Sequence, residues 1–201
     1  YYQAPYYREI KSLDGSLDSS IKAQKSLHFV LANDYEFAWK DRPFKLTTEL
    51  YYKKMSSLMP YYMDNMRIRY SGKNNAKGYA YGMDARLFGE FVPGVDSWIS
   101  VGYSRIYENI DNKGFIPRPT DQRFRVSMFY QDYMPKFPSM RVNLTLVYAS
   151  GLPTGTPILF NADGTPNFDT AYHFQKTLTS YKRVDIGLTK IFIDQKDHKP
   201  K

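Results

Sequence analysis

The chain has 201 residues, 17% aromatic side chains, no cysteine and a formal net charge of +8. The lack of cysteine excludes a disulfide scaffold, a cysteine-ligated zinc site and a thiol nucleophile within this sequence. The basic residues are scattered and form no run of five or six, so the charge does not indicate a nucleic-acid partner.

Seven segments alternate apolar with polar side chains. A period of two predicts β-strands with one apolar and one polar face. In the first segment Leu27, Phe29 and Leu31 share one face, and His28 and Asp34 share the other. The predicted strands are Ser26–Ala38, Phe44–Leu58, Ala76–Val92, Ser97–Tyr107, Arg123–Tyr133, Met140–Ala149 and Tyr181–Ile193.

The connections between these strands are alternately short and long. The short ones are Asp41–Pro43, Pro93–Asp96 and Met134–Ser139, and the long ones are Met59–Asn75, Glu108–Gln122 and Ser150–Ser180. Within the long connections, Met66–Tyr70 predicts an added hairpin and Asp163-Gly164 a minor one. Together these features predict an antiparallel up-and-down transmembrane β-barrel of the bacterial outer membrane, with the long connections facing outward.

The sequence contains no uninterrupted run of about 18 apolar residues, so no transmembrane helix is predicted. The stretch Tyr1–Pro5 has neither the basic start nor the apolar core of a signal peptide. For an outer-membrane protein, we therefore expect a processed or truncated chain.

Six short stretches carry a family resemblance, in order along the chain. They are Tyr1–Glu9, Lys22–His28, Asn75–Asp84 (A-x-G-Y-x-x-G-x-D), Arg118–Arg123 (Pro-x-Asp-x-Arg), Ser150–Pro157 (T/S-G-x-P) and Tyr181–Gly187 (Y-x-R-x-D). In order and spacing they resemble the late barrel region of TonB-dependent outer-membrane receptors, particularly the Bacteroidetes type.

The resemblance implies a 22-stranded barrel with an N-terminal plug domain, importing a scarce ligand with energy relayed by the TonB complex. No stretch resembles a plug or a TonB-contacting segment, and Asp197–Lys201 lacks the family's aromatic-ended final strand. Residues 1–201 are therefore expected to be part of a single barrel domain whose plug and final strands are absent. Seven strands do not close a 22-stranded barrel.

The partners implied are outer-membrane lipid, the TonB complex through the missing plug, and a small-molecule, glycan or peptide ligand. The sequence leaves open whether a surface lipoprotein also binds the barrel.

No catalytic signature accompanies these features. The sequence has no G-x-S-x-G and no P-loop, and His28, His173 and His198 are far apart. We predict no enzymatic activity, no cofactor and no metal site.

The candidate ligand-facing residues fall into two groups. Polar-face charges are Glu49, Asp84, Arg86, Arg123, Arg125, Arg141, Arg183 and Asp185; loop aromatics are Tyr61, Tyr62, Tyr107, Phe115, Phe160 and Tyr172. The charges fit either cross-strand ion pairs of the wall or direct ligand contacts. The aromatic side chains fit either stacking on a ligand or a rim at the lipid interface.

The small residues Gly78, Ala80 and Gly82 on the polar face allow two interpretations: close approach of another backbone, such as a plug, or a bend in the strand.

Two alternatives to the transporter hypothesis stay open from the sequence. One is a complete barrel of about eight strands that serves as an anchor or narrow pore. The other is a soluble β-rich binding module, since half-buried strands of soluble proteins alternate in the same way.

Overall fold

A computed structural model of the chain describes residues 2–10, 18, 20–64, 67–154, 162 and 176–192. It contains one helical turn, α1 (Tyr7–Ile10), and thirteen strands among these residues. The strands are β1 (Tyr2–Gln3), β2 (Gln24–Trp39), β3 (Arg42–Leu58), β4 (Tyr61–Asp64), β5 (Arg67–Tyr70), β6 (Ala76–Val92), β7 (Val95–Ile110), β8 (Phe115–Pro117), β9 (Phe124–Met134), β10 (Phe137–Ala149), β11 (Pro153–Thr154), β12 (Lys176–Thr177) and β13 (Tyr181–Lys190).

Eight of the strands form one antiparallel up-and-down sheet, in the order β1-β2-β3-β6-β7-β9-β10-β13. This confirms the all-β antiparallel prediction, and each of the seven predicted segments corresponds to one long strand, the last of which ends at Lys190. The bounds of β6 match the prediction at both ends, whereas β7 extends beyond it in both directions.

The three short turns are tighter than the sequence predicted, because each has only two residues outside the paired strands. The first is Lys40-Asp41, where both residues have positive φ (53° and 58°), and Pro43 already pairs with Ala38. The second is Pro93-Gly94, and Gly94 has a φ of 77° that glycine adopts readily. The third is Pro135-Lys136.

The long connections carry small additions to the sheet. β4 and β5 pair as a hairpin, which agrees with the added hairpin predicted at Met66–Tyr70, although Met66 itself lies outside the described residues. β8 folds back onto the end of β7, and β11 pairs with β12. The turn predicted at Asp163-Gly164 lies outside the described residues.

The register gives the sheet two chemically different faces. One unbroken row of paired residues crosses all seven long strands on the first face: Tyr35, Leu46, Leu87, Ile99, Met128, Leu146 and Val184. The neighbouring row, on the opposite face, is Asp34, Thr47, Arg86, Ser100, Ser127, Val147 and Arg183. We call these the apolar face and the polar face.

Aromatic clusters border the apolar face at both ends of the strands. At the short-turn end, Phe44 lies 5.1 Å from Phe91 between ring centroids, and Phe37 and Trp39 also contact Phe44. At the long-connection end are Tyr52, Tyr79, Tyr81, Tyr107, Phe115, Phe124 and Tyr148. We call these the turn-end rim and the loop-end rim.

The buried apolar core is small and lies at the long-connection end. Leu58, Ala76, Ile110 and Ile116 form it, with Met55 packed against it. Many large apolar side chains are instead exposed on the apolar face, among them Leu31 at 70% and Ile186 at 75% of their surface. The described residues therefore form an open sheet with only a small buried core.

Candidate functional site

Seven of the eight predicted charged residues lie on the polar face: Glu49, Asp84, Arg86, Arg125, Arg141, Arg183 and Asp185. In register, Glu49 is opposite Asp84, Asp84 is opposite Gly102, and Gly102 is opposite Arg125. An Asp84 carboxylate oxygen lies 3.8 Å from an Arg125 guanidinium nitrogen, across Gly102. A side chain at residue 102 would overlap this carboxylate, so the glycine makes the ion pair across β7 possible.

The other predicted charges make separate local contacts. The Arg86 guanidinium lies 4.8 Å from the Trp98 ring centroid, and the Arg141 guanidinium lies 5.1 Å from the Tyr133 ring centroid. Both distances are within the range of a cation–π interaction. Arg183 and Asp185 pair at 2.7 Å along β13, and both are largely exposed. The structure therefore does not gather the predicted charges into one site.

A buried carboxylate, Asp121, fixes the chain where it enters β9. One of its oxygens accepts a hydrogen bond of 2.7 Å from the Ile106 N–H. The other oxygen lies 3.4 Å from the Arg105 guanidinium and 3.7 Å from the Arg123 guanidinium. Arg123, one of the predicted charges, therefore makes its contact one residue before β9 begins. Asp121 ties the segment before β9 to the end of β7.

A second buried acid lies at the end of β7, beyond the loop-end rim. Glu108 is 2% exposed and pairs with Arg118 at 3.5 Å, and the Arg118 guanidinium lies 5.4 Å from the Tyr61 ring centroid. Burial raises the pKa of the Glu108 carboxyl above its usual range, and the Arg118 charge opposes that rise. Burial likewise raises the pKa of the Tyr61 hydroxyl. Arg118 therefore links the β4–β5 hairpin to the sheet.

Two cavities open on the polar face on either side of Arg118. The first, of about 400 Å³, lies among β2, β3, α1 and the β4–β5 hairpin, with Glu9, Gln24, His28 and Tyr61 in its lining. The second, of about 450 Å³, lies over β3, β6 and β7 and is lined by Tyr51, Lys53, Ser104, Arg118, Gln122 and Arg125, among others. Both are within the size range of small-ligand pockets.

The predicted loop aromatics are divided among several places. Tyr107 and Phe115 lie in the loop-end rim around Tyr79, at ring distances of 5.3 and 5.0 Å, on the face opposite the wall charges. Tyr61 lines the first cavity on the polar face. Tyr62 lies in β4, while Phe160 and Tyr172 lie outside the described residues.

The small residues of β6 do not leave an empty channel. The space above Gly82 is filled by the Tyr51 side chain, which directly opposes it in register. The space above Gly78 is filled by Leu58 and Met55. These contacts argue against the close approach of another backbone, one of the two interpretations of these small residues, since side chains of β3 already fold over both glycines.

Four of the residues described here were not predicted from the sequence as site residues: Glu108, Arg118, Asp121 and Lys53. Asp121 was present in the Pro-x-Asp-x-Arg element, and Glu108 continues the alternation of β7 past its predicted end. Those two signals could have identified the acids, whereas the cavities depend on register and on how the connections fold back.

Among the residues described, no group of His, Asp and Glu side chains could hold a metal ion. Within the same part of the chain, no helix is long and apolar enough to cross a membrane. No protein-family model and no curated protein matches this sequence.

Proposed function

We propose that this chain is a segment of the wall of a TonB-dependent transporter in the bacterial outer membrane. Its polar face lines the lumen, its apolar face meets lipid, and its long connections lie at the outer opening, where a scarce ligand enters. The observation that carries the proposal is the unbroken apolar row across seven strands, next to an equally continuous row of mostly polar residues.

The exposure of the apolar face supports a lipid environment. Soluble proteins rarely leave a contiguous apolar patch larger than a few hundred square ångströms exposed. Here large apolar side chains are exposed on strand after strand, including Leu31, Leu50, Met83, Val184 and Ile186. Lipid would cover this surface and leave the polar face in contact with water.

The dimensions of the strands fit a bilayer. β13, the shortest long strand, has 10 residues. At about 3.3 Å per residue and a tilt of about 40°, it rises about 25 Å, the height of the apolar band in outer-membrane barrels. The two aromatic rims fit the interfacial girdles of that fold.

The open edges of the sheet support a larger barrel. Within the described part of the chain, β2 pairs on its outer side only through Gln24 and Lys25, and β13 has no partner beyond β10. Unpaired edges bind further strands or aggregate, so these edges are positions for the neighbouring strands of a complete barrel.

One observation favours the alternative of a complete small barrel: the sheet has eight strands in up-and-down order, the number that such a barrel needs. However, closure would require β13 to pair with β1 or β2, and β1 has only two residues. Within the described residues the sheet stays open. The larger barrel therefore accounts for more of the structure.

The experiment that tests the proposal is isolation of the native protein from the outer membrane of the source bacterium. The transporter requires a mass several times 23.5 kDa, a heat-modifiable band on electrophoresis, and ligand uptake that stops when TonB is deleted. A detergent-extracted barrel with a mass near 23.5 kDa would leave only the small barrel. Recovery in the soluble fraction without detergent would overturn both barrels.

A further inference from the structure

The second cavity is a trough built into the polar face. Its two sides stand on β3 and β9, with β6 and β7 between them. Three strand spacings of about 4.8 Å put these sides about 14 Å apart at the backbone. The intervening strands contribute the small side chains Ala80 and Ser104 to its lining.

Among the residues that the structure describes, the trough is lined by cations but by no acid. Lys53 stands on the β3 side, Arg125 on the β9 side, and Arg118 at the loop end. The remaining polar groups of the lining are the Tyr51, Ser104 and Thr120 hydroxyls and the Gln122 amide. The Tyr51 hydroxyl and the Gln122 amide can donate hydrogen bonds to a ligand, whereas the single hydroxyl proton of Ser104 is already donated within the protein.

The acids nearest to these cations bind them from outside the trough. Glu108 pairs with Arg118 at 3.5 Å, and Asp84 pairs with Arg125 at 3.8 Å. Neither carboxylate belongs to the lining of the cavity. Both separations are longer than a normal charged hydrogen bond, so the guanidinium groups retain donors for a ligand.

The polar side groups of the trough are themselves held in place. The Ser104 hydroxyl donates to the Gln122 carbonyl at 3.1 Å, and the Gln122 amide donates to the Ser150 carbonyl at 3.2 Å. These bonds join β7, the segment before β9 and the end of β10. The loop-end side of the trough is thus a fixed structure.

We propose that this trough binds a small ligand carrying two or more anionic groups, carboxylate or phosphate, between Lys53 on one side and Arg125 on the other. The proposal rests on the proposed function in that it takes the polar face as a lumen open to ligands. It adds to that function the charge of the ligand and the residues that bind it.

The test is calorimetric titration of the full-length, detergent-extracted protein with citrate, with pyrophosphate and with glucose as a neutral probe. We expect citrate, pyrophosphate or both to bind, glucose not to bind, and added salt to weaken the binding. Binding of citrate alone would assign a carboxylate ligand, and binding of pyrophosphate alone a phosphate ligand.

Three variants locate the binding. Lys53→Gln and Arg125→Gln should each weaken it about tenfold, which corresponds to about 1.4 kcal/mol, the lower end for a charge-assisted hydrogen bond. Lys54→Gln removes the same charge from the next residue of β3, on the apolar face. This matched control should change the affinity by less than about twofold.

Failure of both anions to bind would overturn the inference, as would equal affinities in all three variants. An acidic segment of the same protein seated on the cations would give the first result. If the inference alone is wrong, the protein still behaves as a heat-modifiable outer-membrane barrel. If the proposed function alone is wrong, anion binding that depends on Lys53 is found in a soluble protein.

Discussion

The two faces of the sheet are built from the same strands but follow different rules. On the apolar face, the row from Tyr35 to Val184 is apolar along its length. Its two end residues are exposed, and the five between them are partly exposed. On the polar face, charges, hydroxyls, glycines and an occasional aromatic ring alternate, and they bind each other in local pairs. In the proposed barrel, the apolar face is uniform because one solvent, lipid, meets all of it. The polar face varies because each position has its own neighbours.

The largest expected effect comes from placing one charge on each face of the same strand. Met128→Arg puts a guanidinium at the β9 position of the apolar row. It should lower the free energy of unfolding by about 2–4 kcal/mol, as arginine does at a bilayer midplane. Ser127→Arg, one residue away on the polar face, should cost less than about 1 kcal/mol. Urea unfolding of the full-length protein in lipid vesicles measures both. Equal costs would remove the distinction between the faces.

The next effect concerns two glycines, one on each face. At Gly89, on the apolar face, an added methyl group would overlap the Phe44 ring and lie 2.7 Å from the Pro43 carbonyl oxygen. Gly89→Ala should therefore destabilise the protein by about 1–3 kcal/mol through overpacking of the turn-end rim.

Gly187→Ala, on the polar face of β13, is the matched control. Its methyl group would lie at an ordinary distance of 3.6 Å from Asn143. The change should leave stability within about 0.5 kcal/mol of the parent or raise it, since glycine weakens strands. The same urea midpoints measure both variants, and an equal loss in both would refute the packing account of the turn-end rim.

The stability of the protein should depend on pH through Glu108, a buried acid at the end of β7. Because burial raises the pKa of its carboxyl in the folded state, that state holds a proton over a pH range where the unfolded chain has lost it. Stability contributed by this group therefore falls as pH rises from about its ordinary value of 4.5 through the raised folded value.

Glu108→Gln should remove this part of the pH dependence. The free energy of unfolding, followed from about pH 4 to about pH 8 at constant ionic strength, should fall less steeply in the variant. Parallel curves for parent and variant would show that the Glu108 carboxyl does not titrate across this range.

The smallest effect is expected for the exposed pair Arg183 and Asp185. Both side chains are about half exposed or more, and solvent screens such pairs. Arg183→Gln should leave the urea midpoint unchanged within error. A clear loss would indicate that charges on this part of the polar face are structural.

Much of the sheet was predictable, because side chains that alternate over a dozen residues are typical of a β-strand. The β6 strand was located at both ends from residues 76–92 alone. The three short turns were predicted one, two and four residues too long. In the first, Lys40 and Asp41 adopt the left-handed backbone that allows Arg42 and Pro43 to pair.

The site was less predictable, because cross-strand register and long connections decide it. Nothing local in the sequence indicates that Gly102 lies between Asp84 and Arg125, or that Tyr51 covers Gly82. The burial of Asp121 depends on the segment 118–123 folding back along β7. These are contacts between residues remote in sequence.

The most direct test of the two-face account is an accessibility scan along β10. The 201 residues contain no cysteine, so single cysteines at positions 142–147 can carry a spin label, with any cysteine elsewhere in the full-length protein removed. In lipid vesicles, we expect labels at Val142, Leu144 and Leu146 to collide with dissolved oxygen, and those at Asn143, Thr145 and Val147 with a water-soluble nickel complex. Equal access of the nickel complex to both sets would contradict a lipid-facing apolar row.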